Sequence, residues 1–388
     1  MNHKIVFLTF HNWKTKRQGG FHKFAEKSCH KGNRNIFFSF ERPYYTYFKN
    51  HERQNREILK ALKRGIEYEV GNSKLLNITY PTFALPGVIR KWFSPKINSW
   101  FQTHSFVSFR KFALQYFAGT DFFIFESNET LLLYKIIKKM FPKSKYIYRP
   151  SDPLMADPNG YYHSIEKMIL KEADWIFIVN KEGFNIYKNN IPGFENQNNF
   201  SILSNGISNN EYLKLYPKPT ELRFENTALY VGANEIEWDL IIFSSKAAPE
   251  IKFIIVCPEK PPSYFISYLK NANNLIYLPG IPHEQVPSWV TNCDCIIIPY
   301  RKFQYQRMAW GLTAKYYQAM VARKPIVAFH DQPEFKELGI HCSYEYEDFI
   351  KQVRLAIKFG PVDYQFDLSK LDWEIITDLF FQKLDDLI

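Results

Sequence analysis

Lys315 and Gln318 stand three residues apart in Gly311-Leu-Thr-Ala-Lys-Tyr-Tyr-Gln318, a spacing that puts both on one edge of a helix. The glycine and Thr313 ahead of them suit a helix start, with Thr313 at the N-cap. Free N–H groups and the helix dipole favour an anion at such a start. A first-turn lysine would pair with a phosphate there, and a glutamine one turn on would reach a ribose hydroxyl. The same pattern equally suits a solvated surface lysine and a plain helix filler. Earlier, Ile296-Ile-Ile-Pro-Tyr300 reads as a buried strand ending in a ring suited to stacking on a base or framing its pocket. Gly232 follows a second strand-like run at 228–231, where a bare backbone lets a diphosphate approach. Glu235 and Glu237 nearby would repel that diphosphate unless turned away.

In the first half, Gly19-Gly20 precedes a helical pattern that starts at Phe21. The pair permits close approach and a left-handed turn. With His22 in the first turn, it could admit an acceptor or a sugar, although a lone histidine there is also an ordinary structural residue. It is not G-x-G-x-x-G, so dinucleotide binding has little support. Asp152 follows a strand at 146–149, and Pro150 and Pro153 hold it in a non-helical loop. A carboxylate in that place can take a proton from an attacking group, but Ser151-Asp152-Pro153 is also an ordinary turn. Asp157, in the same loop, is the rival. No Asp-x-Asp occurs, so neither a metal nor a cofactor is expected. Of the five cysteines, Cys293-Asp-Cys295 is a lone pair without the second ligand pair of a zinc site, and buried free thiols are expected.

Strands must carry these residues. Apolar runs at 5–9, 35–40, Phe122–Glu126, 146–149, 175–179 and 201–203 alternate with helical stretches such as 130–140, the pattern of parallel βαβ units. The Pro- and Lys-rich stretch 213–224 reads as a linker. Strand-like runs then resume at 228–231, 251–256, 275–278, 295–299 and 326–329, and the amphipathic stretch 368–388 follows. The expectation is an α/β protein with two Rossmann-like domains, 1–213 and 214–388, facing a cleft beyond the carboxyl ends of their strands. The terminal helix is expected to pack back on the N-terminal domain.

Lys315-x-x-Gln-Ala-Met-x-Ala-x-Lys-Pro-Ile-Val-Ala328 resembles the nucleotide-sugar segment of glycosyltransferases with the two-domain GT-B fold. Gln318 replaces the usual acid, and Arg323 the usual glycine. Retaining members carry two glutamates bracketing seven residues. Here those positions are Trp310 and Gln318, which argues against that subfamily. A narrower resemblance is to the inverting, xanthan-type GumK-like glucuronosyltransferases, and four segments carry it. Trp13-Lys-Thr-Lys-Arg-Gln-Gly-Gly-Phe-His22 resembles their first glycine loop. Phe125-Glu-Ser-Asn128 resembles a strand end with a Glu-Ser pair, which singles out Glu126 as an acceptor or cleft residue. Tyr148-Arg-Pro-Ser-Asp152 resembles the strand end bearing the base. Ala314-Lys-Tyr-Tyr-Gln318 resembles the Met-Lys-x-x-Gln nucleotide site, with Ala314 replacing methionine. The resemblance implies a UDP-sugar donor, with UDP-glucuronic acid a candidate. It also implies a lipid-linked or polysaccharide acceptor in bacterial surface polysaccharide synthesis, Asp152 as base, Lys315 against the leaving diphosphate, and Gln318 on ribose or phosphate.

The 388 residues carry a formal net charge of +11, and 18% are aromatic. That balance favours anionic partners: phosphates, nucleic acid or an acidic lipid surface. The stretch 85–101 mixes Trp and Phe with Arg and Lys, and Lys135-Ile-Ile-Lys-Lys139 adds charge. This suits a membrane interface, or equally a core or cleft-lining helix. Basic residues are spread widely and no nucleic-acid motif occurs, so no nucleic-acid partner is expected. The N-terminus lacks the pattern of a signal peptide, and no run of about 20 apolar residues exists. The expected location is the cytoplasm, with peripheral association at the inner face of the membrane. A nucleotide-sugar epimerase of the same architecture and a non-catalytic nucleic-acid-binding protein are the alternatives.

Overall fold

The computed structural model describes residues 2–14, 19–45, 64–90, 92–156, 162–232, 236–301, 312–330 and 333–388. Asp157, Glu235, Trp310 and Gly311 lie outside the described residues. The chain forms two compact units, Met1–Ser204 with Ile376–Ile388, and Asn205–Ile375.

The first unit holds an eight-stranded sheet ordered β3-β4-β2-β1-β5-β6-β7-β8. Its strands are β1 (Lys4–Thr9), β2 (Arg34–Pro43), β3 (Ile66–Val70), β4 (Ser73–Thr82), β5 (Phe122–Glu126), β6 (Lys145–Arg149), β7 (Trp175–Ile178) and β8 (Phe200–Ile202). All neighbours run parallel except the β3–β4 hairpin. Helices cover a parallel sheet on both faces, so its central strands are apolar throughout. Phe122, Phe123, Ile124 and Phe125 are accordingly all buried. The chain runs from β1 outward to β2 and later returns to β5 on the other side. That puts the topological switch point, where open sheets hold ligands, at the carboxyl ends of β1 and β5.

From Ile376 onward, the helix Trp373–Asp385 belongs to this unit. Phe380 is fully buried, 4.4 Å from the ring of Phe24 and 4.6 Å from that of Phe177. Around it, Asp378 pairs with Lys31 at 3.0 Å and Asp385 with His3 at 3.1 Å. These partly exposed pairs add little; the buried rings hold the helix in place.

The second unit holds a six-stranded, wholly parallel sheet ordered β11-β10-β9-β12-β13-β14. The strands are β9 (Thr227–Val231), β10 (Lys252–Val256), β11 (Leu275–Leu278), β12 (Cys295–Ile298), β13 (Ile326–Ala328) and β14 (His341–Cys342). Its switch point lies at the carboxyl ends of β9 and β12. The stretch 213–224 is not a tether between the units. It belongs to the second unit, where neighbouring Tyr212 and Leu222 are buried in the core. At the boundary, the Ile207 N–H donates to the Leu371 carbonyl and the Trp373 N–H to the Ile207 carbonyl, at 2.8 and 3.0 Å. Gly206 lies against Trp373, and a Cβ there would come within 2.6 Å of the indole.

Candidate functional site

Each switch point carries a cluster. In the second unit, the helix Ala314–Val321 turns Tyr316, Ala319 and Met320 into the core and leaves Lys315 and Gln318 half-buried on its edge. Thr313 occupies the N-cap with extended backbone, but its side chain makes no capping bond. Its hydroxyl is buried and has no hydrogen-bond partner among the described residues. The Lys315 ammonium donates to the Tyr300 hydroxyl at 2.8 Å. It lies 5.4 Å from the centre of the Tyr300 ring and 5.9 Å from that of Tyr230. Beneath it is Gly232: a Cβ there would overlap Lys315 Cε and stand 3.0 Å from Nζ. The structure thus brings Lys315, Gly232 and Tyr300 together at the ends of β9 and β12, with Ala314 opening the helix. A cation held against two rings beside a helix N-terminus can meet the charge of a phosphate.

Tyr300 plays another part than the one expected. It is fully buried, so its ring does not stack on a base; its hydroxyl orients Lys315. Glu237 is engaged by the Tyr346 hydroxyl and the Arg301 charge, while burial pushes its carboxyl above the usual range.

In the first unit, Glu126 ends β5 and is buried. Its carboxylate accepts from the Thr9 hydroxyl at the end of β1, from Asn128 Nδ2 at 3.0 Å and from the Ser151 hydroxyl at 2.8 Å. Its register partner on β6, Arg149, is buried as well. Burial pushes the Glu126 carboxyl up, and the hydroxyls and the guanidinium oppose that shift. Burial likewise lowers Arg149 to about 10, against the pull of Glu126. Three donors beside a cation favour the anion. Glu126 therefore does not face an acceptor; it is an anchor. Ser127 Oγ accepts from the N–H groups of Ser151 and Asp152, at 3.0 and 3.2 Å. Asp152 itself is exposed.

The glycine loop also differs from expectation. Gly19 is extended at φ −111°, and Gly20 is the first helical residue, so neither needs a left-handed backbone. His22 is buried and faces no acceptor. Its Nδ1 accepts from the Gly19 N–H at 3.2 Å, and its Nε2–H donates to the Asn12 carbonyl at 3.1 Å. Those bonds require the neutral ring, and burial lowers its pKa to about 4. His22 is a clamp on the loop after β1. Sequence reasoning passed over Tyr230, Thr9, Ser151 and Arg149. The available signal was their shared position at or just past the ends of strands that flank a switch point.

Residues 7–179 match the family model described as "Glucuronosyltransferase GumK, N-terminal domain". No curated protein matches the chain. Among solved structures, HepE from Anabaena, in complex with UDP and glucose, superposes with a TM-score of 0.62 at 12% identity, covering 99% of this chain and 100% of that one. A glycosyltransferase from Rickettsia africae ESF-5 gives 0.60 at 10%, covering 100% and 98%. UDP-GlcNAc 2-epimerase from Methanocaldococcus jannaschii gives 0.57 at 11%, covering 99% of both. At such identities the likeness is one of fold, the two-domain GT-B fold.

Proposed function

We propose that this chain, which has the GT-B fold and whose residues 7–179 match the GumK N-terminal model, is a glycosyltransferase that moves a sugar from a UDP-sugar to a lipid-linked or polysaccharide acceptor, inverting the anomeric centre. Glucuronic acid is the first sugar to test. The observation that carries this reading is the Lys315 ammonium, held by Tyr300 over Gly232 at a helix N-terminus. In the reaction, the acceptor oxygen forms a bond to the anomeric carbon and its proton passes to Asp152. The bond from that carbon to the phosphate oxygen breaks, and UDP leaves with the electron pair. Lys315 and the first-turn N–H groups meet the charge on the departing oxygens, and Gln318 holds ribose or phosphate. The exposed Asp152 carboxylate, on a loop pinned at its backbone, suits a base that must reach a large acceptor.

A lipid-linked acceptor is supported by the segment 87–111. Val88, Trp92 and Phe106 are 75%, 79% and 83% exposed, and Trp100 is half exposed. Arg90, Lys96, Arg110 and Lys111 are interspersed with them. Exposed rings with basic neighbours suit an anionic lipid surface. No helix among the described residues is long and apolar enough to cross a membrane.

The test is thermal stabilisation by UDP, UDP-glucose and UDP-glucuronic acid against the ADP and GDP series, repeated with Lys315→Ala. Stabilisation by uridine compounds is expected, with an affinity loss of about 10- to 100-fold in the variant. Equal stabilisation of both proteins would move the diphosphate elsewhere. Interconversion of a UDP-sugar without transfer would favour an epimerase.

A further inference from the structure

Glu166, on the helix His163–Glu172, is fully buried. Its carboxylate accepts four hydrogen bonds. Two come from tyrosine hydroxyls, Tyr148 at 2.6 Å and Tyr187 at 2.8 Å. Two come from consecutive backbone N–H groups, Leu154 to Oε1 at 3.1 Å and Met155 to Oε2 at 2.6 Å. A buried carboxylate is costly unless its oxygens are satisfied, and here each oxygen takes one backbone donor. Those amides open the turn Leu154–Ala156, directly after Asp152 and Pro153. On the other side of Asp152, Ser151 is tied to Glu126 and to Ser127. The exposed aspartate therefore stands on a short bridge between two buried carboxylates, Glu126 before it and Glu166 after it.

We propose that Glu166 is the positioning residue of the Asp152 loop. It fixes the backbone that aims the Asp152 carboxylate and touches no substrate itself. This rests on the reading of Asp152 as base. Through Tyr148 on β6, Glu166 ties its helix to the sheet. Beyond that tie it accepts two bonds from the peptide groups that follow the base, and its tyrosine donors lock it in that pose.

The experiment compares wild type, Glu166→Gln and Tyr187→Phe. Gln keeps the shape but turns an N–H₂ toward a backbone N–H, whereas Tyr187→Phe leaves both backbone bonds in place. Amide exchange at Leu154 and Met155 is expected to quicken at least about tenfold in Glu166→Gln and to stay slow in Tyr187→Phe. Hydrolytic UDP release from UDP-glucuronic acid or UDP-glucose, with water as the acceptor that loses its proton to Asp152, is expected to show kcat about tenfold lower or more in Glu166→Gln, with donor KM within about twofold. Unchanged exchange in Glu166→Gln overturns the proposal, and so does an unchanged kcat with a loosened loop. If Glu166→Gln does not fold, wild type decides: the two amides must exchange about a hundredfold slower than an open chain, and exchange at the open-chain rate overturns the anchor. Absence of UDP release from wild type would overturn the transferase reading. The anchoring of the loop is read by exchange alone.

Discussion

A methyl group at position 232 would occupy space that Lys315 now fills. Part of what it would displace is the far end of the flexible Lys315 chain, and part is the hydroxyl of the buried Tyr230, 2.8 Å away, so Gly232→Ala should push the ammonium off the Tyr300 hydroxyl at a modest cost in stability. UDP affinity is expected to fall by roughly tenfold or more while the unfolding midpoint moves by only a few degrees, read by calorimetry on one sample. His22 gives a second prediction. Its folded pKa, near 4, lies below the ordinary 6.5 because burial disfavours the imidazolium. The unfolded chain therefore binds the proton more tightly. The clamp contributes its full stability above about pH 6.5 and loses it as pH falls towards 4. Between pH 7 and 5 the loss is on the order of 2 kcal/mol, and urea titrations should show that slope flattened in His22→Gln. Lys315, Gly232 and Tyr300 were legible because each stands at a strand end or helix start that local punctuation marks. Glu166 and Arg149 were not, since what makes them matter lies on other elements: Tyr187 on a later helix, Glu126 on the neighbouring strand.

At the scale of elements, the parallel strands were readable because buried strands are apolar runs with clear breaks. The hairpin β3–β4 was passed over for the opposite reason. Ile66-Glu-Tyr-Glu-Val70 is half-exposed and charged at alternate positions, as an antiparallel edge strand is. Its one strong signal was Gly71-Asn72, where Gly71 takes φ +56°. The stretch 213–224 shows the converse error. Proline and lysine made it look like a tether, yet Leu222 and the adjoining Tyr212 are core residues. The helix Trp373–Asp385 carries this scale's prediction. Phe380 is buried between Phe24 and Phe177. Phe380→Ala is expected to cost about 3–5 kcal/mol in urea unfolding of the first unit, and Asp378→Ala, which removes exposed ion pairs, less than about 1 kcal/mol.

For the whole molecule, the net charge of +11 and the exposed rings of 87–111 suit the same kind of surface, an anionic lipid one. Vesicles containing phosphatidylglycerol should bind the protein, and uncharged phosphatidylcholine vesicles much less. Replacing Trp92, Trp100 and Phe106 together by serine should weaken binding by roughly tenfold or more, measured by co-sedimentation, and raising salt should weaken what remains. A variant that sediments like wild type would leave the patch without that role. The return of the final helix to the first unit also governs how this chain is made. Translation must pass through all of Asn205–Ile375 before Phe380 emerges. Until then the nascent first unit leaves the ribosome with Phe24 and Phe177 uncovered, so its maturation waits on its neighbour. A ribosome stalled before codon 376 would hold out a greasy, unfinished sheet, the kind of surface that chaperones bind.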